Sequence, residues 1–158
     1  MESQLDRLDM QILSALQISN QTSAQELADR VPLSPSAIQR RIRQYRTTGV
    51  ITADVSVLNP KLTGGHISVV LLIQLAQQGP AQVAEVRSRL SRSPYVQVVM
   101  EIAGGYDLMC ITMFDNIESF NTFADIEIAA DPCVARFETM LVRRRVKFGA
   151  TLPLWNAI

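Results

Sequence analysis

Apolar residues recur three or four positions apart near the start of the chain, which predicts a first helix over about residues 6–18. Its apolar positions are Leu5, Leu8, Ile12, Leu13 and Leu16. After a short polar break, Ser23 and Glu26 have the spacing of a capping box, in which each side chain accepts a hydrogen bond from the other residue's free N–H. A second helix therefore begins here, and it ends at Pro32 because proline cannot continue a helix.

The third helix, over about residues 35–48, has both a start and a stop signal. Ser34 is a favourable N-cap, Pro35 suits the first helical position, and Gly49 can adopt the left-handed conformation that ends a helix. At about 100° per residue, its buried stripe consists of Ile38, Ile42 and Tyr45. Its opposite face consists of Ser36, Gln39, Arg40, Arg43, Gln44 and Thr47. This arrangement predicts a helix-turn-helix domain, plain or winged-helix-like, over residues 1–50.

The outward face of the third helix combines hydroxyl, amide and guanidinium groups, which are the groups that contact base edges and phosphates in DNA. We expect base contacts near the N-terminus of the helix. The residues concerned are Ser36, Gln39 and Arg40, and the N-cap Ser34 beside them is a further DNA-binding candidate. The expected phosphate contacts are Arg40, Arg41, Arg43 and Arg46. A solvated helix face that contains arginine is the alternative, but the two-residue connection to the preceding helix favours DNA binding.

From residue 50 to residue 58 the pattern changes to β-rich residues with period-two alternation, which predicts a strand. Asn59 and Pro60, followed by Gly64 and Gly65, are typical of a linker. We therefore interpret residues 51–65 as a β-arm and linker that joins two domains.

Residues 66–148 follow a βαββαβ order, which predicts a ferredoxin-like domain and makes the whole chain α+β. The predicted strands cover residues 67–76, 95–103, 106–114 and 134–148. The helices begin at Pro80 and at a capping box opened by Asp115, and a tight Gly104-Gly105 turn joins the second and third strands. With both helices on one side of the sheet, the other face is left uncovered.

We expect the uncovered face to contain alternate residues of the first strand, namely Val69, Leu71 and Ile73. A face this apolar is expected to pack against another subunit. The C-terminal tail, residues 149–158, is also apolar for a free terminus, since it contains Leu152, Leu154 and Trp155. We expect the tail to dock on a neighbouring subunit.

Composition limits the classes of function. The 158 residues are 47% hydrophobic, which is enough to bury a core, and the formal net charge is zero, so DNA affinity must come from local clustering of arginine. The longest apolar run is too short to span a bilayer, and the polar N-terminus does not resemble a signal peptide. We therefore expect a cytoplasmic protein without a membrane partner.

The sequence predicts no catalytic residues, no metal site and no cofactor. Cys110 and Cys133 lack CxxC spacing and a neighbouring histidine, so we expect reduced thiols. His66 is the single histidine, at a domain junction, and has no identifiable partner. We interpret the run from Arg143 to Arg145 as a strand-edge or solvated charge run.

Several short motifs, in this order and spacing, resemble the Lrp/AsnC (feast/famine) transcriptional regulators over nearly the whole chain. In the first domain the motifs are Leu5-Asp6-Arg7-Leu8-Asp9 with Ile12-Leu13, Glu26-Leu27-Ala28, Leu33-Ser34-Pro35-Ser36 and Gly49-Val50-Ile51. In the second domain they are Gly104-Gly105-Tyr106-Asp107, which resembles the family's Gly-x-Tyr-Asp loop, and residues 142–147, which resemble its last strand. The second domain would then be of the RAM type.

The resemblance implies homodimers formed through the second domains, assembled into tetramers or octamers, that bind pseudo-palindromic double-stranded DNA. It also implies a small-molecule effector, an amino acid or related metabolite, at the contact between dimers. The residues that it assigns to this site are Gly104, Gly105, Tyr106, Asp107, Thr139 and Met140. Glycines let backbone N–H groups approach a carboxylate, and Asp107 can pair with an ammonium group. A simple hairpin turn is the alternative for this loop.

Two other functions are compatible with this architecture. An architectural DNA-binding protein would have the same first domain but no response to an effector. Sirohaem decarboxylases share the two-domain order but rely on histidine in a tetrapyrrole pocket, and this chain has only His66.

Overall fold

The computed structural model describes residues 5–59, 64–76 and 79–154. The chain divides into two compact units: the first contains the residues up to Val57 and those from Lys147 onward, and the second contains Leu58 to Val146. The predicted linker residues 60–63 and Trp155 of the tail lie outside the described residues. Within the described ranges, no helix is long and apolar enough to cross a membrane.

Three helices form the first unit: α1 (Arg7–Ile18), α2 (Ala24–Ala28) and α3 (Pro35–Thr47). The predicted capping box of Ser23 and Glu26 is confirmed at the start of α2, where Glu26 accepts from the Ser23 N–H at 2.7 Å. A second capping box, which the sequence interpretation missed, joins Asp6 to Asp9 at the start of α1. Helix α2 ends at Ala28, earlier than the predicted stop at Pro32.

The apolar stripes of these three helices meet in one small core. Its buried residues are Ile12, Leu13, Ala24, Leu27, Val31, Ile38, Ile42 and Tyr45. Burying each large aliphatic side chain contributes roughly 1.5–3 kcal/mol relative to leaving it in water. The predicted buried stripe of α3 is therefore confirmed, and it fixes which side of that helix points outward.

The predicted β-arm does not form a strand in the described chain. The backbone of residues 52–59 is not part of a strand, and Ile51 packs against the helical core instead. Residues 5–59 also contain no β-hairpin, so this part of the chain is a plain rather than a winged helix-turn-helix. Alternating β-branched residues favour extended backbone, but a strand also needs an adjacent strand for its hydrogen bonds, and this segment has none within the described chain.

The second unit confirms the βαββαβ order. Its elements are β1 (Ile67–Leu75), α4 (Pro80–Arg92), β2 (Val96–Glu101), β3 (Leu108–Phe114), α5 (Ile117–Phe123), a π-helix (Ala124–Ala129) that continues α5, and β4 (Val134–Leu141). The strands form one antiparallel sheet in the order β2-β3-β1-β4. Strand β4 is shorter than predicted, so the run from Arg143 to Arg145 lies beyond its end.

The cap of α5 is one residue later than predicted. The Asn116 side chain accepts a hydrogen bond from the Ser119 N–H at 2.8 Å, which is the N-cap contact that was expected of Asp115. Asp115 instead lies beside His66, with 2.9 Å between its Oδ1 atom and the imidazole Nδ1. The single histidine therefore has a carboxylate partner that sequence spacing did not indicate.

The helices cover the opposite face of the sheet from the one predicted. Val69, Leu71 and Ile73 are fully buried, and they pack against α4 and α5 rather than forming the uncovered face. Period-two alternation shows that a strand has two faces but not which of them a helix covers. Because these strands are apolar on both faces, the sequence could not separate them.

The uncovered face of the sheet is therefore formed by the alternate set of strand residues, which is also largely apolar. Its apolar members are Val70, Leu72, Val98, Met100, Met109, Ile111, Met113 and Met140. Met100 and Met140 are 42% and 48% exposed. The uncovered face is apolar, as predicted, but it is formed by different residues from those predicted.

The tail docks on the first unit of its own chain, not on a neighbouring subunit as expected. The Gln17 side-chain amide donates to the Leu152 carbonyl at 3.2 Å, and the Leu152 N–H donates back to the Gln17 Oε1 atom. Leu154 packs against the three-helix core. The tail therefore adds apolar burial to the core of a small unit.

Candidate functional site

Helix α3 is held rigidly at both ends. The Ser34 hydroxyl accepts a hydrogen bond from the Ala37 N–H at 3.3 Å, and Pro35 occupies the first turn. At the other end Gly49 has φ +77°, in the left-handed region that favours glycine, and the Ile51 N–H donates to the Tyr45 carbonyl at 3.0 Å. The side chains of α3 therefore project from a helix whose orientation is set by its caps and its buried face.

The outward face of α3 carries the predicted polar set. Ser36, Gln39, Arg40 and Arg43 are all exposed, and the Ser34 and Ser36 hydroxyls lie 3.1 Å apart at the helix N-terminus. Neither Arg40 nor Arg43 belongs to any of the ion pairs found among the described residues. The helix contains four arginines and no acidic residue, so this face is locally basic in a chain of zero net charge.

Arg41 differs from its neighbours. Its guanidinium lies between two carboxylates of α1, at 2.8 Å from Asp6 Oδ2 and in contact with Asp9 Oδ1. Hydrogen bonds to these carboxylates raise its pKa further above the ordinary arginine value. Arg41 was predicted as a phosphate contact, but in the structure its guanidinium is paired with the carboxylates of Asp6 and Asp9.

Arg46, in the last turn of α3, also has a partner. Its Nε donates to Asp54 Oδ2 at 2.8 Å, in the extended segment that follows the helix. Both side chains are more than a third exposed, and an exposed ion pair of this kind is worth only about 0–1 kcal/mol. A phosphate could therefore displace Asp54 at little cost, and Arg46 remains a candidate phosphate contact.

The predicted ligand loop, residues 104–107, lies in the connection between β2 and β3 in the second unit. Gly104 has φ +151°, and beyond its two chain neighbours no atom lies within 4 Å of the position that a Cβ atom would occupy there. Asp107 anchors the loop, since its N–H donates to the Ile73 carbonyl at 2.9 Å and its Oδ2 accepts from the Leu75 N–H at 2.7 Å. One carboxylate oxygen of Asp107 therefore has a structural role, which leaves the other for a ligand.

Two residues that the sequence interpretation missed lie beside this loop. The Arg136 guanidinium lies 5.0 Å from the centroid of the Tyr106 ring, and its Nε donates to Gln74 Oε1 at 2.8 Å. A hydrogen bond between the Tyr106 hydroxyl and Glu138 raises the pKa of Tyr106 above its usual value. Arg136 and Glu138 carry opposite charges two residues apart in a predicted strand, so they share one face of the sheet. This spacing is the signal that could have identified them.

Thr139 and Met140 lie on opposite faces of the sheet. Thr139 is paired with Leu71, on the helix-covered face, whereas Met140 is paired with Val70, on the uncovered face. Glu138, paired with Leu72, shares the uncovered face with Met140. Of the two β4 residues assigned by the resemblance, only Met140 therefore lies on the same face as Glu138 and Arg136.

Within the described ranges, no group of three or more His, Cys, Asp or Glu side chains could hold a metal ion. Cys110 is buried in the core of the second unit, and burial raises the pKa of its thiol to about 11. Cys133 is partly buried, and burial raises its pKa as well. Both thiols are therefore protonated near neutral pH.

Comparison with known proteins agrees with both halves of this description. An AsnC-type helix-turn-helix domain matches residues 5–46, and an Lrp/AsnC ligand binding domain matches residues 68–152. An uncharacterized HTH-type transcriptional regulator of Sinorhizobium fredii is 32% identical over 151 residues, which cover 96% of this chain and 89% of the relative.

Solved structures have the same fold. An AsnC family transcriptional regulator from Agrobacterium tumefaciens superposes with a TM-score of 0.84 at 25% identity, over 98% of this chain and all (100%) of that one. A transcriptional regulator of Neisseria meningitidis, solved as a complex with L-Met, gives a TM-score of 0.85 at 22% identity, over 98% and 99% of the two chains. With a match to each domain and a relative along almost its full length, this chain belongs to the Lrp/AsnC family of transcriptional regulators.

Proposed function

We propose that the protein is a sequence-specific, DNA-binding transcriptional regulator of the cytoplasm that places α3 in the major groove. The observation that carries this proposal is the outward face of α3, where exposed hydroxyl, amide and guanidinium groups stand on a helix fixed at both ends. In helix-turn-helix proteins the second helix of the pair enters the major groove, and its N-terminal residues meet the bases. Since the relative named above is a transcriptional regulator, we assign no catalytic reaction to the protein.

The position of each side chain along α3 suggests its role. Ser36, Gln39 and Arg40 lie in the N-terminal half, where they are placed to contact base edges, and Ser34 is placed to contact the backbone beside them. Arg43 and Arg46 lie further along, where the helix leaves the groove and phosphates are the nearer partners. Arg40 can serve either purpose because its guanidinium is exposed.

The uncovered sheet face supports a homodimer. Residues such as Leu72, Met109 and Ile111 form a contiguous apolar surface there, and such a surface is stabilised when a second copy of the chain covers it. A two-fold dimer carries two α3 helices, which matches a pseudo-palindromic operator with half-sites about one helical turn, or a multiple of it, apart. Further association to tetramers or octamers would multiply the number of half-sites.

We further propose that the loop from Gly104 to Asp107 contributes to an amino-acid effector site. Arg136 offers a guanidinium for a carboxylate, and Glu138 and the second oxygen of Asp107 offer acceptors for an ammonium group. Met140 supplies an apolar surface on the same face. The Neisseria meningitidis relative was solved with L-Met, which makes an apolar amino acid the first candidate.

The test of DNA binding is selection of bound duplexes from a random pool by the purified full-length chain, followed by gel-shift titration. We expect a pseudo-palindromic consensus, and we expect Arg40→Ala to weaken binding to it by about 1–3 kcal/mol. Arg92→Ala is the matched control, because Arg92 is an exposed arginine of α4 in the second unit. No enrichment from the pool, or equal losses for Arg40→Ala and Arg92→Ala, would contradict the proposal.

The effector is tested by thermal-shift measurement against the twenty amino acids. A ligand at one hundred times its dissociation constant stabilises the folded state by about 2.7 kcal/mol, so a true effector gives a clear shift. Arg136→Ala should abolish that shift. A chain that binds DNA but responds to none of the amino acids would fit an architectural protein better, and a tetrapyrrole Soret shift would favour the decarboxylase alternative.

A further inference from the structure

A cluster of four side chains joins the start of α1 to the middle of α3. It consists of Asp6, Asp9, Arg41 and Tyr45, and we call it the α1–α3 cluster. Arg41 contacts both carboxylates, and the Tyr45 hydroxyl donates to the same Asp9 oxygen that Arg41 contacts. The side chain of Asp9 is only 13% exposed and that of Arg41 only 25% exposed.

Each of the four carboxylate oxygens of the cluster accepts a hydrogen bond. Asp6 Oδ1 accepts from the Asp9 N–H at 2.7 Å, and Asp9 Oδ2 accepts from the Asp6 N–H at 2.8 Å, so one oxygen of each residue caps α1. The other oxygens, Asp6 Oδ2 and Asp9 Oδ1, hold Arg41. Arg41 therefore contacts carboxylates whose own orientations are fixed by the helix, and it cannot turn away without leaving a partly buried Asp9 charge unpaired.

The neighbouring arginines of α3 have a different environment. Arg40 and Arg43 are exposed and belong to none of the ion pairs among the described residues. Three of the four arginines, including Arg46 with its exposed pair, can thus reach a phosphate, whereas Arg41 is held by two acids. Composition alone, with four arginines in thirteen residues, does not reveal this division.

We propose that Asp6 and Asp9 hold Arg41 so that it does not contact DNA. Arg41 is then a positioning residue, which fixes the orientation of α3 relative to α1 and adds no phosphate contact. This inference rests on the proposed function of α3 as the DNA-reading helix. Its consequence is specificity: an extra mobile cation beside Arg40 would strengthen binding to every sequence alike, because phosphate contacts carry no sequence information. Holding Arg41 inside the protein keeps that uniform attraction low.

The proposal is tested by the salt dependence of binding, which counts phosphate contacts. The logarithm of the binding constant falls against the logarithm of salt concentration with a slope of about −0.9 for each phosphate neutralised. In the full-length chain, Arg43→Ala should make the slope shallower by about 0.9 for each α3 helix bound, whereas Arg41→Gln should leave it unchanged. Equal changes for Arg41→Gln and Arg43→Ala would overturn the proposal.

The reverse experiment frees Arg41. The double variant Asp6→Asn with Asp9→Asn should steepen the slope by about 0.9 for each helix bound, and should lower the ratio of affinities for the selected operator and an unrelated duplex. Adding Arg41→Gln to this variant should restore the original slope. If the slope stays steep in the triple variant, the lost acids and not Arg41 cause the change, and the inference is wrong.

Two further measurements separate the possible failures. Circular dichroism reports whether the double variant folds; if it does not, the Arg41→Gln and Arg43→Ala comparison decides the question alone. If the unaltered chain binds no duplex, the proposed function and this inference both fail. If it binds an operator but Arg41→Gln flattens the salt slope, the inference alone fails and the proposed function stands.

Discussion

Leu71 and Leu72 are neighbours in β1, yet they lie on opposite faces of the sheet. Leu71 is fully buried beneath α4 and α5, whereas Leu72 is only partly buried and faces the side that no helix of the described chain covers. Opposite Leu72 lie Met109 on β3 and Glu138 on β4. One position in the chain thus separates the core of the second unit from its proposed dimer surface.

This pair gives a matched test of the two faces. Leu71→Ala should lower the free energy of unfolding by about 2–5 kcal/mol, because it leaves a cavity in a close-packed core. Leu72→Ala should cost the isolated fold less but weaken self-association. Chemical denaturation and analytical ultracentrifugation of both variants measure the two effects. A Leu72→Ala protein with unchanged self-association would remove this face from the dimer surface.

The cap of α3 gives a second prediction. Ser34→Ala removes the acceptor of the Ala37 N–H and should destabilise the first unit by about 0.5–2 kcal/mol. Ser34→Gly should cost only a few tenths of a kcal/mol, because glycine is also tolerated at an N-cap. Thermal unfolding followed by circular dichroism compares them. A Ser34→Ala protein with unchanged stability would show that the hydroxyl does not contribute through capping.

The tail gives a third prediction. Leu152→Pro removes the N–H that donates to Gln17 and should cost about 0.5–1.5 kcal/mol. Leu152→Ala keeps the N–H, and since the Leu152 side chain is exposed, this control should be nearly neutral. Hydrogen exchange of the α1 amides measures the difference directly. Equal protection of α1 in both variants would mean that the tail does not stabilise the first unit.

The dependence of folding stability on pH in the acid range gives a fourth prediction. A backbone hydrogen bond from Asp9, together with Arg41, lowers the pKa of Asp6 in the folded state below its ordinary value. A carboxylate with a lowered folded pKa contributes stability that is complete above its unfolded pKa, near 4, and is lost as the pH falls through the folded value. Stability should therefore fall below about pH 4, and Asp6→Asn should flatten that fall. Parallel acid titrations of the two proteins, followed by circular dichroism, check this.

Local signals in the sequence were sufficient to locate the three helices of the first unit, although α2 ends before the predicted stop at Pro32. Ser34, Pro35 and Gly49 predicted the bounds of α3 to within a residue, because caps and stops act through the nearest backbone groups. The βαββαβ order was likewise readable from periodicity and turns. Contacts between distant positions were not readable, since Arg41 with Asp6 and Asp9, and Tyr106 with Arg136, depend on how elements pack.

The same limit explains the errors. Residues 52–59 have the composition of a strand, but strand formation depends on a partner that composition does not specify. Leu71 and Leu72 are both apolar, so alternation could not tell the covered face from the uncovered one. Aspartate and asparagine are both good N-caps, so residue type alone could not show that Asn116 rather than Asp115 caps α5.

The contact between Gln17 and Leu152 spans 135 residues and therefore has a consequence for synthesis. At about 5–20 residues per second, the ribosome delivers Leu152 roughly 7 to 27 seconds after Gln17. During that interval α1, α2 and α3 can fold as a nascent domain, but without the tail residues that pack against their core. The helix-turn-helix domain thus emerges before the sheet and acquires its tail only after that sheet has been translated.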